Sequence, residues 1–264
     1  MMTRYRAALD GIQLDSIDPA IYILDISEES PRYKVYTAER AGMDGTHVTG
    51  VKRQYVRVEV SFAIRLRNTI KRQAVLDKVA AWCQGHTLTT STRQMGGAVP
   101  LCLHAECTQW PSIESALKWT DAVTVAFTAY EVPFWQLMKP KLYAEVPAAQ
   151  PVTMRVKGSA GAVVGADVRY TGADPLETIT LSVGAVRMTL NDLNMVEGET
   201  LHIAHDDAGR LSITIQNEEG TRSAYRCLSP DSPDDIILPM GDSRAVIQDA
   251  ENLCVKWSQR DRWR

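Results

Sequence analysis

The chain has 264 residues, of which 45% are hydrophobic and 23% are charged, and its net charge at pH 7 is −3. This composition is typical of a globular protein, and the length predicts two domains because a single core rarely grows so large. The acidic balance argues against general nucleic-acid binding, no apolar run approaches the roughly 18 residues of a membrane-spanning helix, and we expect no signal peptide.

The first part of the chain predicts short strands separated by turns. Residues 12–26 contain one or two strands, of which residues 22–26 are the better candidate. Residues 27–32 form a polar turn, and residues 33–37 form another short strand. The pair Asp44-Gly45 is a turn signature within a loop that leads into the next strand.

Residues 55–85 predict the element around which this part of the chain is organised, a long strand followed by an amphipathic helix. From Val56 to Leu66 every second residue is apolar, which is the period of a strand with one buried face. A shift of one residue would expose that face, so the register is fixed. The other face carries Tyr55, Arg57, Glu59, Ser61, Ala63, Arg65 and Arg67.

After Leu66 the apolar period changes to that of a helix, with Asn68 or Thr69 as N-cap and Gly85 as the stop. Its predicted apolar side consists of Val75, Leu76, Val79, Ala80, Trp82 and Cys83. Between Lys52 and Lys78 basic residues outnumber acidic ones. A solvated face explains this band most simply, contact with an acidic partner is the alternative, and nucleic acid is the third.

Two further strands, residues 86–92 and 99–107, flank a hairpin tip at Gln94-Met95-Gly96-Gly97, and residues 122–130 alternate again. Residues 112–119 give no clear pattern. The N-terminal part is therefore predicted to be a sheet carrying one helix, an α+β arrangement. Three prolines, Pro133, Pro140 and Pro147, mark the seam between domains at residues 1–138 and 139–264.

The remainder predicts an all-β domain, because short strands alternate with turn residues as in a sandwich or barrel. The predicted strands are residues 152–156, 166–170, 177–183, 185–190, 200–205, 210–216, 236–238, 245–247 and 253–257. Turn signals include Gly184, Glu197-Gly198, Glu219-Gly220 and Met240-Gly241-Asp242.

The cysteine pattern favours reduced thiols in a protein made in a cytoplasm, because the count is odd and the spacing is not that of a disulfide scaffold. The five are Cys83, Cys102, Cys107, Cys227 and Cys254. A zinc cluster is a weaker alternative, since a second closely spaced pair is missing. Its ligands would be Cys102, Cys107, His86 and His104. We expect no metal and no other cofactor.

Three stretches together carry a family resemblance. They are the strand and helix of residues 55–85, the exit Tyr130-Glu-Val-Pro-Phe-Trp135, and the β-rich remainder with its segments 174–181, 197–211, 238–241 and 255–263. With these features the chain resembles the distal tail proteins of long-tailed, non-contractile bacteriophages and their prophage relatives. One turn departs from that family's usual Pro-Gly-x-Asn ending and reads Pro239-Met240-Gly241-Asp242-Ser243.

The resemblance implies a mainly β protein, with an α+β, ring-forming domain over residues 1–138 and a galectin-like β-sandwich over residues 139–264. It implies a structural virion protein at the tail tip, assembled in the bacterial cytoplasm. Such proteins form hexameric rings that join the tail tube to the tip or baseplate and anchor receptor-binding proteins. The implied partners are other copies of the chain, the tube protein, and baseplate and receptor-binding proteins, with neither nucleic acid nor membrane insertion.

The outer face of the long strand is the expected subunit contact. A strand of this length with arginines on one face turns them either to solvent or to a neighbouring copy, and heterologous contacts that close under rotation give rings. We therefore predict that Tyr55, Arg57, Glu59 and Arg65 lie at or near a subunit interface, with an ordinary solvated face as the alternative.

Three other functions are alternatives to a distal tail ring protein. For an enzyme, the best cluster is His202, His205, Asp206 and Asp207. Strand alternation separates these side chains, and no catalytic motif is present, so no catalytic residue is predicted. A carbohydrate-binding sandwich is a second alternative, although Trp257 and Trp263 are better explained by packing. Another tail-tube or tail-tip ring protein is the third.

Overall fold

The structure is a computed structural model that describes residues 5–39, 46–95, 99–112, 122–206, 209–248 and 251–264. Its described residues are mostly β, as the sequence predicts, and contain two α-helices where the sequence predicted one. The chain divides into two compact units, Met1–Met138 and Lys139–Arg264. No helix within the described residues has the length and apolar character needed to cross a membrane.

Two groups of antiparallel strands and two helices build the first unit. The strands are β1 (Ala7–Leu9), β2 (Ile12–Gln13), β3 (Ile21–Glu28), β4 (Arg32–Glu39), β5 (Thr46–Ile64), β6 (Thr87–Met95), β7 (Val99–His104), β8 (Glu106–Gln109), β9 (Val123–Ala129) and β10 (Trp135–Leu137). The helices are α1 (Leu14–Ile17) and α2 (Thr69–Trp82). One group has the order β10-β7-β6-β1-β2, and the other has the order β3-β5-β9-β8 with β4 also paired to β5.

The long alternating strand is confirmed between Val56 and Ile64. Every second side chain of this segment is buried, and β3 and β9 pair with it on its two edges. Two boundaries differ from the prediction. The strand begins at Thr46, within a segment predicted to be a loop, because pairing with β4 extends it where no face is buried. It ends at Ile64, which leaves Leu66 outside the strand and only half-buried.

Helix α2 has its predicted N-cap, since the Asn68 side chain accepts a hydrogen bond from the Lys71 backbone N–H at 3.0 Å. The predicted apolar residues are buried except Ala80, which is half-buried. Gly85 has no left-handed backbone angle. A Cβ there would lie 2.5 Å from Asp10 Oδ2 and 2.8 Å from Leu9 Cγ, so a larger residue would have to displace these two side chains.

Several other predictions for the first unit need correction. The single strand predicted over residues 99–107 is two strands, β7 and β8, because the chain passes between the two groups at Ala105. Strand β1 and helix α1 were not predicted. Strand β9 is buried on both faces along most of its length, so its alternation is weaker than predicted. Gly96 and Gly97 of the hairpin tip and residues 113–121 lie outside the described residues.

The second unit is a two-layer β structure. Its strands are β11 (Lys141–Leu142), β12 (Val146–Pro147), β13 (Val152–Val156), β14 (Ala160–Tyr170), β15 (Ile179–Val183), β16 (Val186–Leu190), β17 (Thr200–His205), β18 (Leu211–Gln216), β19 (Thr221–Ser223), β20 (Ile237–Leu238), β21 (Gly241–Gln248) and β22 (Leu253–Trp263). One group has the order β19-β18-β17-β14-β22, with β11, β12 and β20 at its sides, and the other is β13-β21-β15-β16.

Both groups contribute to one hydrophobic core. Met154 of β13 and Leu181 of β15 are fully buried in it, as are Val168 of β14 and Trp257 of β22. All nine predicted strands are present, but β14 begins earlier and β22 continues to Trp263. The predicted turn at residues 240–242 is instead the start of β21, where Gly241 has a φ of 105°. A single core between two antiparallel layers is the arrangement of a sandwich.

Candidate subunit interface

A two-stranded ribbon of the first unit has neither face covered by the described part of the chain. We call it the arm: β4 together with residues 46–52 of β5. All eight residues of β4 are exposed, and residues 46–52 are exposed except for half-buried Gly50. Isolated two-stranded ribbons are at best marginally stable in water, because they bury too little apolar surface. The arm is therefore a candidate surface for contact with another chain.

The two faces of the arm differ in chemistry. Antiparallel register places Val35 opposite Val51 and Thr37 opposite Val48, and a bulge between Tyr36 and Thr37 absorbs the extra residue of β5. The apolar face carries Tyr33, Val35, Thr37, Val48 and Val51, with the polar pair Glu39 and Thr46 at its outer end. Its exposure is large, since Val35 is 52% exposed and Val51 is 60% exposed. The opposite, basic face carries Lys34, Tyr36, Ala38, His47 and Lys52.

A charged cluster fixes the base of the arm. The Glu28 carboxylate accepts hydrogen bonds from Arg93 Nε at 2.8 Å and from Trp135 Nε1 at 3.1 Å, and lies 3.9 Å from Arg53 Nη2. Arg53 follows the arm along β5, is almost fully buried, and stacks 5.4 Å from the Phe134 ring centroid. Phe134 and Trp135, the last two residues of the exit Tyr130–Trp135, thus contact the charged side chains at the base, or root, of the arm, while the arm itself is exposed.

Three of the predicted interface residues, Tyr55, Arg57 and Glu59, follow the arm along β5, whereas Arg65 lies beyond the opposite end of that strand. Arg57 Nη2 donates to Glu59 Oε1 at 2.9 Å and to Gln109 Oε1 at 2.8 Å, and its Nε is 3.3 Å from Glu29 Oε1. Arg57 and Glu59 are therefore in direct contact, and the Arg57 guanidinium forms ion pairs with both Glu59 and Glu29.

The other two predicted residues are engaged with aromatic rings. The Tyr55 ring lies 6.0 Å from that of Tyr130, and Arg32, the first residue of the arm, lies over it at 5.7 Å. Arg65 lies one residue beyond the end of β5, with its guanidinium 4.3 Å from the Tyr22 ring centroid. The arm next to these residues was not predicted. The signals that could have found it were the alternation of Tyr33, Val35 and Thr37 and the Asp44-Gly45 turn signature, a pair that lies outside the described residues.

The first unit also has an acidic cleft. Its volume is about 280 Å³, and its lining residues are His104, Ala105, Glu106, Thr128, Tyr130 and Glu131. Tyr130 is well exposed, and Glu106 Oε1 lies 3.0 Å from His86 Nδ1. The cleft's two carboxylates are opposite in sign to the lysines of the arm's basic face, so the same unit presents two electrostatically complementary surfaces.

The candidate catalytic cluster does not form one site. His202 contacts Asp167 at 2.8 Å and Gln216 at 3.0 Å, whereas His205 contacts Asp235 at 2.5 Å. Asp206 pairs with Arg210 instead, and Asp207 lies outside the described residues. Within the described ranges, no group of three or more His, Cys, Asp or Glu side chains has the arrangement of a metal site.

Comparison with solved structures gives an independent view of the fold. The Dit protein (gp 19.1) of phage SPP1, described as a paradigm of the hub adsorption apparatus in phages that infect Gram-positive bacteria, matches with a TM-score of 0.68 and 11% identity. The match covers 98% of this chain and 99% of that chain. A chain of the phage P2 baseplate in its activated conformation with Ca matches with a TM-score of 0.55 and 6% identity, over 99% of this chain and 98% of that one.

Sequence comparisons add no closer relative, because no family model matches the chain and no curated protein matches it. The structural matches extend over nearly the whole length of both chains and so include both units. The resemblance drawn from the sequence is thereby confirmed for the fold: this chain has the fold of phage Dit and baseplate hub proteins.

Proposed function

We propose that the chain is a structural protein of a long, non-contractile phage tail. It assembles as a hexameric ring that joins the tail tube to the tip or baseplate and anchors receptor-binding proteins. The full-length likeness to a Dit hub protein supports a role in a tail tip. The observation that carries self-assembly is the arm, an amphipathic ribbon whose apolar face is exposed along its length.

The arm suits a ring because its contacts are heterologous. Its apolar face would pack on a neighbouring copy, and its basic face would lie near that copy's acidic cleft. The arm and the cleft are different surfaces of the first unit, and pairing different surfaces gives a ring when the rotation between copies closes. Among the described strands β4 pairs only with β5, so its other edge offers backbone groups that a neighbouring strand can bind. Residues 1–138 thus form the ring domain, and residues 139–264 form the galectin-like domain that holds peripheral proteins.

The arm is tested by charging its apolar face. The double variant Val35→Glu and Val51→Glu is expected to lose the ring and remain monomeric, because carboxylates would be desolvated in the subunit contact. Ile70→Glu is the matched control, since Ile70 is an exposed apolar residue of α2 in the same unit. Native mass spectrometry and negative-stain imaging of the full chain would show discrete rings for the wild type and the control.

Three results would contradict parts of this proposal. A wild-type chain that stays monomeric at high concentration speaks against self-assembly. An arm variant that assembles as well as the wild type shows that the arm is not the contact. Filaments in place of discrete rings would favour a tube protein over a distal tail protein.

The outer face of β5 is tested separately. We propose that Tyr55, Arg57, Glu59 and Arg65 also lie at or near a subunit contact, with Tyr55 next to the arm and Arg65 beyond the opposite end of β5. Arg57→Glu combined with Arg65→Glu is expected to weaken the ring by charge repulsion with acidic neighbours. Mass photometry would report the change in assembly size, and an unchanged size would place these residues outside the interface.

A further inference from the structure

Two cysteines of the first unit meet where α2 ends against the sheet. Cys83 directly follows α2 and is 2% exposed, and Cys107 lies in β8 and is half-buried. Cys107 is the direct partner of Phe127 in β9, and the Phe127 ring contacts the Trp82 ring edge-on at 5.6 Å. Directly opposed residues of an antiparallel pair share a face, so Cys107 points to the side on which the end of α2 packs.

The two thiols are also hydrogen-bond partners. The hydrogen bond from Cys83 lowers the pKa of Cys107, with burial and the nearby Glu106 carboxylate opposing the change. The same hydrogen bond, followed by burial, raises the pKa of Cys83. The more exposed thiol is thus the one more readily ionised, and the thiolate is the nucleophile in disulfide exchange.

We propose that Cys83 and Cys107 form an intramolecular disulfide when the folded chain meets a small disulfide such as glutathione disulfide, joining the end of α2 covalently to β8. The position of Cys107 on the side where α2 ends and the interaction between the two thiols both place the sulfurs as neighbours, which the roughly 2.05 Å disulfide bond requires. The site is independent of ring assembly, because all of its contacts lie within one copy of the chain.

The exchange proceeds in two balanced steps. The Cys107 thiolate attacks one sulfur of the small disulfide, forms a mixed disulfide and releases one small thiolate. The Cys83 thiol then loses its proton and attacks Cys107 Sγ, and the second small thiolate leaves. Both small thiolates take up protons, so two cysteine thiols are oxidised and one small disulfide is reduced.

Mass spectrometry of the full chain tests the linkage. After incubation of the folded, reduced protein with glutathione disulfide, we expect the mass to fall by two hydrogen atoms and a non-reduced digest to join the Cys83 and Cys107 peptides. The melting temperature of the first unit should rise by roughly 5–10 °C, because the cross-link restricts the unfolded chain. Reduction should restore the original value.

Single-residue variants separate the two roles. Cys83→Ser should stop at a glutathione adduct on Cys107, and Cys107→Ser should form neither the adduct at this position nor the linkage. Cys254→Ser, which removes a half-buried thiol of the second unit, should form the linkage as the wild type does. A wild-type chain that retains both thiols, stops at the adduct, or links other cysteines while folded would overturn the proposal.

Discussion

The two halves of strand β5 are continuous in backbone and opposite in environment. Residues 56–64 lie between β3 and β9, and their apolar side chains are buried. Residues 46–52 pair only with β4 among the described strands, and their side chains are exposed. Ladder hydrogen bonds are present in both halves, so the difference in burial decides what each half does. The buried half, residues 56–64, stabilises the unit, and the exposed half, residues 46–52, is available for a contact.

The largest expected effect comes from a pair of side-chain truncations to alanine, one in each half of β5. Phe62 is fully buried, so Phe62→Ala should lower the free energy of unfolding of the monomer by about 3–5 kcal/mol. Val51→Ala in the arm should change it by no more than about 0.5 kcal/mol, because Val51 buries little in the monomer. Urea unfolding at low protein concentration measures both. Equal losses would show that the arm packs on its own chain.

The same contrast explains what the sequence could predict. Burial of one face makes residues 56–64 alternate cleanly, and that pattern identified the strand and its inward side chains. The arm is exposed on both faces, so its sequence is under no such constraint, and the bulge between Tyr36 and Thr37 interrupts the period further. For this reason the sequence predicted a short strand at residues 33–37 followed by a loop, where the structure has two paired strands.

The candidate interface was predictable only in part. The alternation correctly separated half-buried Tyr55, Arg57 and Glu59 from the buried face of β5, whereas the subunit contact predicted for them and for Arg65 stays a prediction. No local pattern could show that Glu29 and Gln109 contact Arg57, because both are distant from it in sequence. The end of β22 was missed for a related reason. Asp261 looks like a solvated terminal residue, yet it is buried and accepts a hydrogen bond from the Lys157 backbone N–H.

A second test lies where the buried half of β5 ends. Arg72 of α2 is 1% exposed, and its Nη1 donates to the carbonyls of Ile64 and Leu66 at 3.1 Å each. Arg72→Met keeps much of the side-chain volume but leaves both carbonyls without this donor. We expect a loss of about 2–3 kcal/mol in the free energy of unfolding.

The neighbouring residue supplies the control for Arg72. Lys71 is exposed on the other side of the same helical turn, so Lys71→Met should change stability by less than about 0.5 kcal/mol. Chemical denaturation of both variants measures the difference. If Arg72→Met were as stable as Lys71→Met, the buried half of β5 would end without help from the helix.

The smallest effect on stability is expected just beyond the C-terminal end of α2, where the exposed carboxylate of Asp10 binds the backbone at the start of β6. Asp10 Oδ1 accepts from the Thr87 backbone N–H at 2.9 Å, and Oδ2 accepts from the His86 backbone N–H at 3.2 Å. Partial burial tends to raise the pKa of Asp10, but these hydrogen bonds and the nearby His86 together lower it below its usual value. The ionised carboxylate is therefore bound better in the folded chain than in the unfolded chain.

A lowered folded-state pKa fixes the direction of the pH effect. The stabilisation is fully present above the unfolded-state pKa of about 3.9 and is lost as the pH falls through the lower folded-state value. Asp10→Asn should remove this contribution, which we expect to be less than about 1 kcal/mol because solvent screens an exposed carboxylate. Asparagine also tolerates the left-handed backbone of this position, where φ is 49°. Unfolding curves of both proteins between pH 6 and pH 3 measure the difference, and parallel pH profiles would mean that Asp10 positions β6 without its charge.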